Sequence, residues 1–246
     1  MKVTLHCALV LCALVALLDT TVQGQSANWP SIKLGELYEN CETLLADTLN
    51  IWWTVEKSTG KIWFAAESAS EDIDYYTAFG LSGDKDIIQM NGGDVAIMDF
   101  FGDKARARDF YLQDVVPCME KYKSGVCPDP IFDKGKDDIG HVFGAEYDID
   151  SSRSARVIHY SRAANTKSKE TDQPFDISKQ GDQLIIWAMG RTDIDGEPGR
   201  HNKVSRKKHH IQFGRLPKKN CHSFLEGYDL EKILKQKSDP LRAEEP

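Results

Sequence analysis

The residues of this 246-residue chain whose types could do chemistry are four of its six cysteines, one basic cluster and a set of aromatic side chains. Cys41, Cys118, Cys127 and Cys221 lack the C-x-x-C spacing of a zinc site, no H-x-x-H accompanies them, and Cys118 to Cys127 is too wide for a knuckle. They are expected as disulfides, for which four cysteines allow three connectivities. Cys41 precedes the first β-type run and Cys221 follows the last, while Cys118 and Cys127 bracket a loop. That placement favours Cys41–Cys221 and Cys118–Cys127.

Arg200, Lys203, Arg206, Lys207 and Lys208, with His209 and His210, form a basic cluster in a chain of net charge −7. The bland reading is a solvated hairpin loop. The functional reading is a docking patch, with Arg200, Arg206, Lys207 and Lys208 meeting an acidic protein or a polysaccharide. The acidic balance of the whole chain argues against nucleic acid as a partner. The rings of Trp52, Trp53, Trp63, Tyr75, Tyr76 and Trp187 could stack on sugars, but strands alternate, so most of them are expected in a core. Trp52 and Trp53 are adjacent and must point to opposite faces, so one of them turns away from the core. G-x-S-x-G, P-loop, G-x-G-x-x-G and H-E-x-x-H patterns are absent, and the many carboxylates single out no catalytic pair. The chain reads as a binding or carrier module and not as an enzyme.

The elements that must position these residues are short β-type runs separated by turn residues. Leu49–Val55 and Lys61–Glu67 flank the turn Lys57-Ser58-Thr59-Gly60. Tyr75–Leu81 follows, then Val95–Phe101 and Ala105–Tyr111 around Gly102-Asp103-Lys104. His141–Tyr147, Arg156–Ser161, Gln183–Met189 and His209–Phe213 complete nine runs. Helical periodicity is missing between Trp52 and Phe213, which predicts an all-β, antiparallel immunoglobulin-like β-sandwich of about nine or more strands. Ser124–Asp138, rich in Pro, Gly and Asp, is expected as a surface loop. A short C-terminal helix is expected over Tyr228–Gln236, where Leu230, Ile233 and Leu234 share a face, before a charged tail.

Lys2 and the apolar run Leu5–Leu18, followed by Val22-Gln23-Gly24, read as a signal peptide over residues 1–24, cleaved before Gln25. The apolar run is short of the roughly 20 residues needed to span a bilayer. A secreted, extracellular protein with no membrane span after cleavage is expected, and cleavage removes Cys7 and Cys12. The division then runs as a polar leader over 25–44, a globular domain over 45–216, and the helix and tail over 217–246.

Three ordered blocks resemble the DOMON domain, an extracellular β-sandwich that binds haem or sugars and occurs beside copper monooxygenases and in cellobiose dehydrogenase. The first runs from Trp52, Thr54 and Val55 to Tyr76-Thr77-Ala78-Phe79-Gly80-Leu81-Ser82. The second is Met90-Asn91-Gly92-Gly93-Asp94-Val95-Ala96-Ile97, continuing through Asp109-Phe110-Tyr111 to Asp114. The third passes from Tyr160-Ser161-Arg162 through Thr171-Asp172, Asp176-Ile177 and Ile186-Trp187-Ala188-Met189-Gly190 to Gly196-Glu197-Pro198-Gly199-Arg200-His201. The Cys-bearing loop around Cys127 departs from the family pattern.

The resemblance implies a module binding a non-covalent b-type haem, with Met90 and His201 as axial ligands to the iron and an extracellular redox partner. A thioether and an imidazole together fill both axial positions, which suits one-electron transfer. The other reading it implies is a cofactor-free module binding carbohydrate or a partner. Both ligand positions are expected in loops.

Overall fold

The computed structural model describes residues 33–224, apart from 73, 133–134, 167 and 169. The expected signal peptide and the expected helix at Tyr228–Gln236 lie outside the described residues.

A single helical turn, α1 (Leu34–Leu37), precedes thirteen strands: β1 (Asn40–Leu45), β2 (Leu49–Glu56), β3 (Lys61–Ser70), β4 (Tyr75–Leu81), β5 (Gly93–Phe101), β6 (Lys104–Leu112), β7 (Val126–Pro128), β8 (Ile139–Asp148), β9 (Ser154–Ala163), β10 (Gln183–Thr192), β11 (Pro198–Val204), β12 (His209–Ile211) and β13 (Lys218–Asn220). One sheet has the order β13-β1-β2-β3-β9-β8, the other β11-β10-β4-β5-β6-β7, with β12 also pairing β10. Neighbours pair antiparallel except β1 and β13, which run parallel. The all-β sandwich read from the nine alternating runs is the architecture observed.

Alternation on β2 shows why. Leu49, Ile51 and Trp53 face the second sheet and join Phe64, Phe79, Tyr160 and Phe213 in the main core. Burying such rings removes large apolar areas from water, about 25 cal/mol per Å². Trp53 also donates its indole N–H to the Phe213 carbonyl at 3.0 Å. Trp52 points the other way, as its neighbour's position demands, but not into solvent. It packs under α1 with Leu34, Tyr38 and the Cys41–Cys221 bridge in a second buried layer. There its indole donates to Glu67, which also accepts from Asn50, and burial holds the Glu67 carboxyl above its ordinary range.

Four strands escaped the sequence pattern. β7 lies inside Ser124–Asp138, read as loop, and pairs with β6 through Cys127 opposite Tyr111. β11 lies in the segment read as a basic hairpin loop. β1 and β13 fall at or beyond the two ends of 45–216. These are edge strands or their neighbours, short or polar, with too few alternating apolar residues to produce a period of two.

The two sheets are also tied by charge. Arg162 on β9 forks onto Asp94 of β5 with two 2.7 Å hydrogen bonds, and lies 3.4 Å from Asp109 and 3.6 Å from Asp172. All four side chains are buried.

Candidate functional site: an apolar cavity on the outer face of the second sheet

The outward face of β4, β5, β6 and β10 is not polar, as a solvated sheet face would be. Tyr76, Ala78, Val95, Ile97, Phe110, Leu112 and Ile186 form a buried apolar layer there. Over part of it lies a cavity of about 530 Å³, floored by Tyr76, Ile97, Leu112 and Ala188. Its walls are Val115–Pro117 with Val126 on one side, and Pro198–His201 on the other. Met90 also lines it. The two residues singled out as haem ligands, far apart in sequence, therefore border one cavity. Each is partly buried.

Met90 sits on the connection between β4 and β5, which short hydrogen bonds hold in shape. Ser82 Oγ donates to the Ile87 carbonyl at 2.8 Å and accepts from the Gln89 amide at 3.0 Å. Gly83 donates to the Gln89 carbonyl at 2.9 Å, and Gly93 to the Met90 carbonyl at 2.7 Å. From outside, the Gln173 side chain donates to the carbonyls of Ser82 and Gly92. A Cβ at Gly83 would stand 1.8 Å from the Asn91 carbonyl oxygen, so the loop closes this tightly because residue 83 has no side chain.

His201 is on β11 and not in a loop, opposite Gly190 of β10. Tyr76 on β4 is paired with the same glycine, and its hydroxyl donates to the Gly199 carbonyl at 3.0 Å. The beginning of β11 is thus fastened to the cavity floor. Burial pushes the Tyr76 phenol up to about 12, so it stays a neutral donor.

The wall at Val115–Pro117 was not foreseen. Val126 donates to the Val116 carbonyl at 2.9 Å, Gly125 adopts φ +102°, and the Cys118–Cys127 bridge closes the segment. The bracketing cysteines were the available signal. Both disulfides have the expected pairing.

The basic cluster divides. Arg200 borders the cavity with His201, whereas Arg206, Lys207 and Lys208 are exposed between β11 and β12. Arg206 and Lys207 instead border a second cavity of about 460 Å³, with Lys203, His209 and the edge of Trp187. Of the aromatics that could have stacked on sugars, Trp52, Trp53, Tyr75, Tyr76 and Trp187 are buried. Trp63 is partly buried, with the His141 ring 5.2 Å away and the Lys61 ammonium 5.3 Å from the indole ring.

An apolar slot with a thioether and an imidazole on its border offers soft and borderline donors and no carboxylate. That donor set suits haem iron better than a hard cation. Among the described residues no helix is long and apolar enough to cross a membrane.

No protein-family model matches the chain. It is 28% identical over 185 residues to Protein Skeletor of Drosophila melanogaster, isoforms B/C and D/E, which covers 74% of this chain. The chain spans 22% and 11% of those two relatives' lengths. Among solved structures it is similar to the cytochrome domain of Myriococcum thermophilum cellobiose dehydrogenase, with a TM-score of 0.41 and 8% identity. That match covers 72% of this chain and 85% of the other.

Proposed function

We propose that this chain is a secreted DOMON-type module that holds a b-type haem between Met90 and His201 and passes single electrons to an extracellular partner. The observation that carries the reading is the shared cavity: two ligand-type side chains, over 100 positions apart, line one apolar space. When bound, the haem supplies a reversible one-electron couple at its iron. The chain's own residues do the rest. Ile97, Leu112, Val126 and Ala188 give the slot an apolar lining, which favours a large apolar ligand. Tyr76 anchors the strand that carries His201, and the Ser82–Gln89 hydrogen bonds anchor the loop that carries Met90. Arg200 puts a positive charge at the border, where an anionic edge of the ligand or an acidic partner would sit. The two disulfides suit an oxidising compartment, in keeping with export.

Titration of the purified chain with haem tests this. A Soret band retained through desalting, with a six-coordinate low-spin spectrum, is the expected result. Met90→Ala should remove one of the two side chains that would hold the iron and lower the potential, and His201→Ala should weaken retention more. A folded protein that retains no haem would leave the cofactor-free, partner- or carbohydrate-binding module.

A further inference from the structure

Outside the cavity, the buried charges around Arg162 do not balance among the described residues. Asp94, Asp109, Asp129 and Asp172 are all buried, and Arg162 pairs with the first two and the last. Asp94 is well served, since it takes both arms of the guanidinium and the Gln173 amide at 2.6 Å. The other three are not. Among the described residues, neither oxygen of Asp109 and neither oxygen of Asp129 has a hydrogen-bond partner within 3.5 Å, nor does Asp172 Oδ2, although the side chains of Thr171 and Asp172 lie beside Asp129. Asp129 is 1% exposed, so water does not solvate it either. Leaving buried carboxylate oxygens unmet costs several kcal/mol each in principle, and native proteins rarely do so.

The geometry points to a second ligand site: Asp109, Asp129 and Asp172 bind one hard divalent cation of the calcium type. One oxygen from each lies within 4.8 Å of the others. Calcium–oxygen bonds of about 2.3–2.6 Å put two ligands on opposite sides of an ion roughly 4.6–5.2 Å apart, so these oxygens can share one centre. The donor set is all carboxylate, with no imidazole or thiolate, which selects calcium or magnesium over zinc or copper. Two added positive charges would offset most of the excess left by one guanidinium against four carboxylates.

The donors come from separate parts of the chain. Asp109 is on β6 and Asp172 lies between β9 and β10, both within the blocks that carry the family resemblance. Asp129 opens the 3-10 turn Asp129–Ile131, just after β7, in the Cys-bearing segment where this chain departs from that pattern. The ion would therefore tie the segment behind one wall of the apolar cavity to β6 and to the connection between β9 and β10. None of the three ligands lines that cavity, so the site stands whether or not haem binds.

Calorimetric titration of the EGTA-dialysed full chain with calcium chloride, and in parallel with magnesium chloride, tests this. One calcium per chain is expected, with the melting temperature raised by about 5–10 °C at saturating calcium over EGTA. Asp129→Asn, close to isosteric, should weaken calcium binding by at least about 10-fold. Uptake of no calcium by the stripped wild type overturns the site, and so does an Asp129→Asn protein that binds calcium as tightly as wild type. If Asp129→Asn does not fold, the wild-type unfolding curves decide alone, and coincident curves in calcium and EGTA overturn it.

Discussion

Gly190 stands opposite His201 in the β10–β11 ladder, and a Cβ at residue 190 would lie 2.8 Å from the His201 Cα and 2.9 Å from the Tyr76 ring. The glycine thus sets how closely the His201 strand approaches the cavity floor. Gly190→Ala must push β11 outward, at a cost of about 1–3 kcal/mol for overpacking. The expected outcome is a folded protein with lower thermal stability and, on the proposed haem reading, clearly weaker haem retention, read from unfolding curves and the Soret band after desalting. Unchanged retention would mean that the approach of β11 does not position His201.

The two disulfides should separate into different phenotypes. Cys41–Cys221 closes 180 residues of chain and packs against Trp52, while Cys118–Cys127 closes nine. In the chain-entropy picture the first contributes about 5 kcal/mol and the second about 3. Cys41→Ala with Cys221→Ala should lower the urea midpoint more. Cys118→Ala with Cys127→Ala should spare more stability but loosen Val115–Pro117, and so weaken ligand binding in the cavity. Equal binding by the two double variants would refute a wall role for the smaller bridge.

His159 should make the fold acid-sensitive. Its ring is buried, stacked 4.3 Å from Phe143, with Nδ1 2.7 Å from the Tyr38 hydroxyl, and burial lowers its pKa from 6.5 to about 4. Between those values the unfolded chain takes up a proton that the folded chain refuses, so stability falls as pH drops from 6.5 towards 4. The loss approaches about 3 kcal/mol. Glu67, with a raised pKa, works in the opposite direction, so the comparison must be with a variant. His159→Gln, whose amide still reaches Tyr38, should remove that part of the slope in urea titrations across this range. Parallel slopes for the two proteins would show that His159 is not the group.

How much of this was legible follows from what each residue needs from its neighbours. Alternation at Leu49, Ile51 and Trp53 announced a sandwich because a buried sheet face is a local, period-two property. The disulfide pairing followed from cysteine placement around those strands. β7 and β11 were hidden because their partners, β6 and β10, supply the apolar context, while their own residues are few or polar. Met90 and His201 were singled out through resemblance, but the apolar floor beneath them was not, since Tyr76, Ile97 and Leu112 read as ordinary strand residues. Likewise no spacing rule brings Asp129 to Asp109 and Asp172; only the folded β6–β7 segment does.

Arg162 links the buried carboxylate cluster to the loop that carries Met90. Its fork holds Asp94, Asp94 accepts the Gln173 amide, and the Gln173 side chain donates to Ser82 and Gly92 on the loop that carries Met90. Removing one partner of a buried ion pair leaves the other charge unmet, which costs about 3–5 kcal/mol. Arg162→Met should therefore destabilise the fold by that order in urea unfolding, measured in EGTA so that no cation compensates. It should also loosen the Met90 loop. Pairing it with Asp94→Asn should recover part of the stability, because fewer unmet charges remain, but not the haem affinity, because Gln173 loses its charged acceptor. A single variant as stable as wild type would show that Asp94, Asp109 and Asp172 do not depend on this guanidinium, and recovery of both properties in the double variant would break the link from Arg162 to Met90.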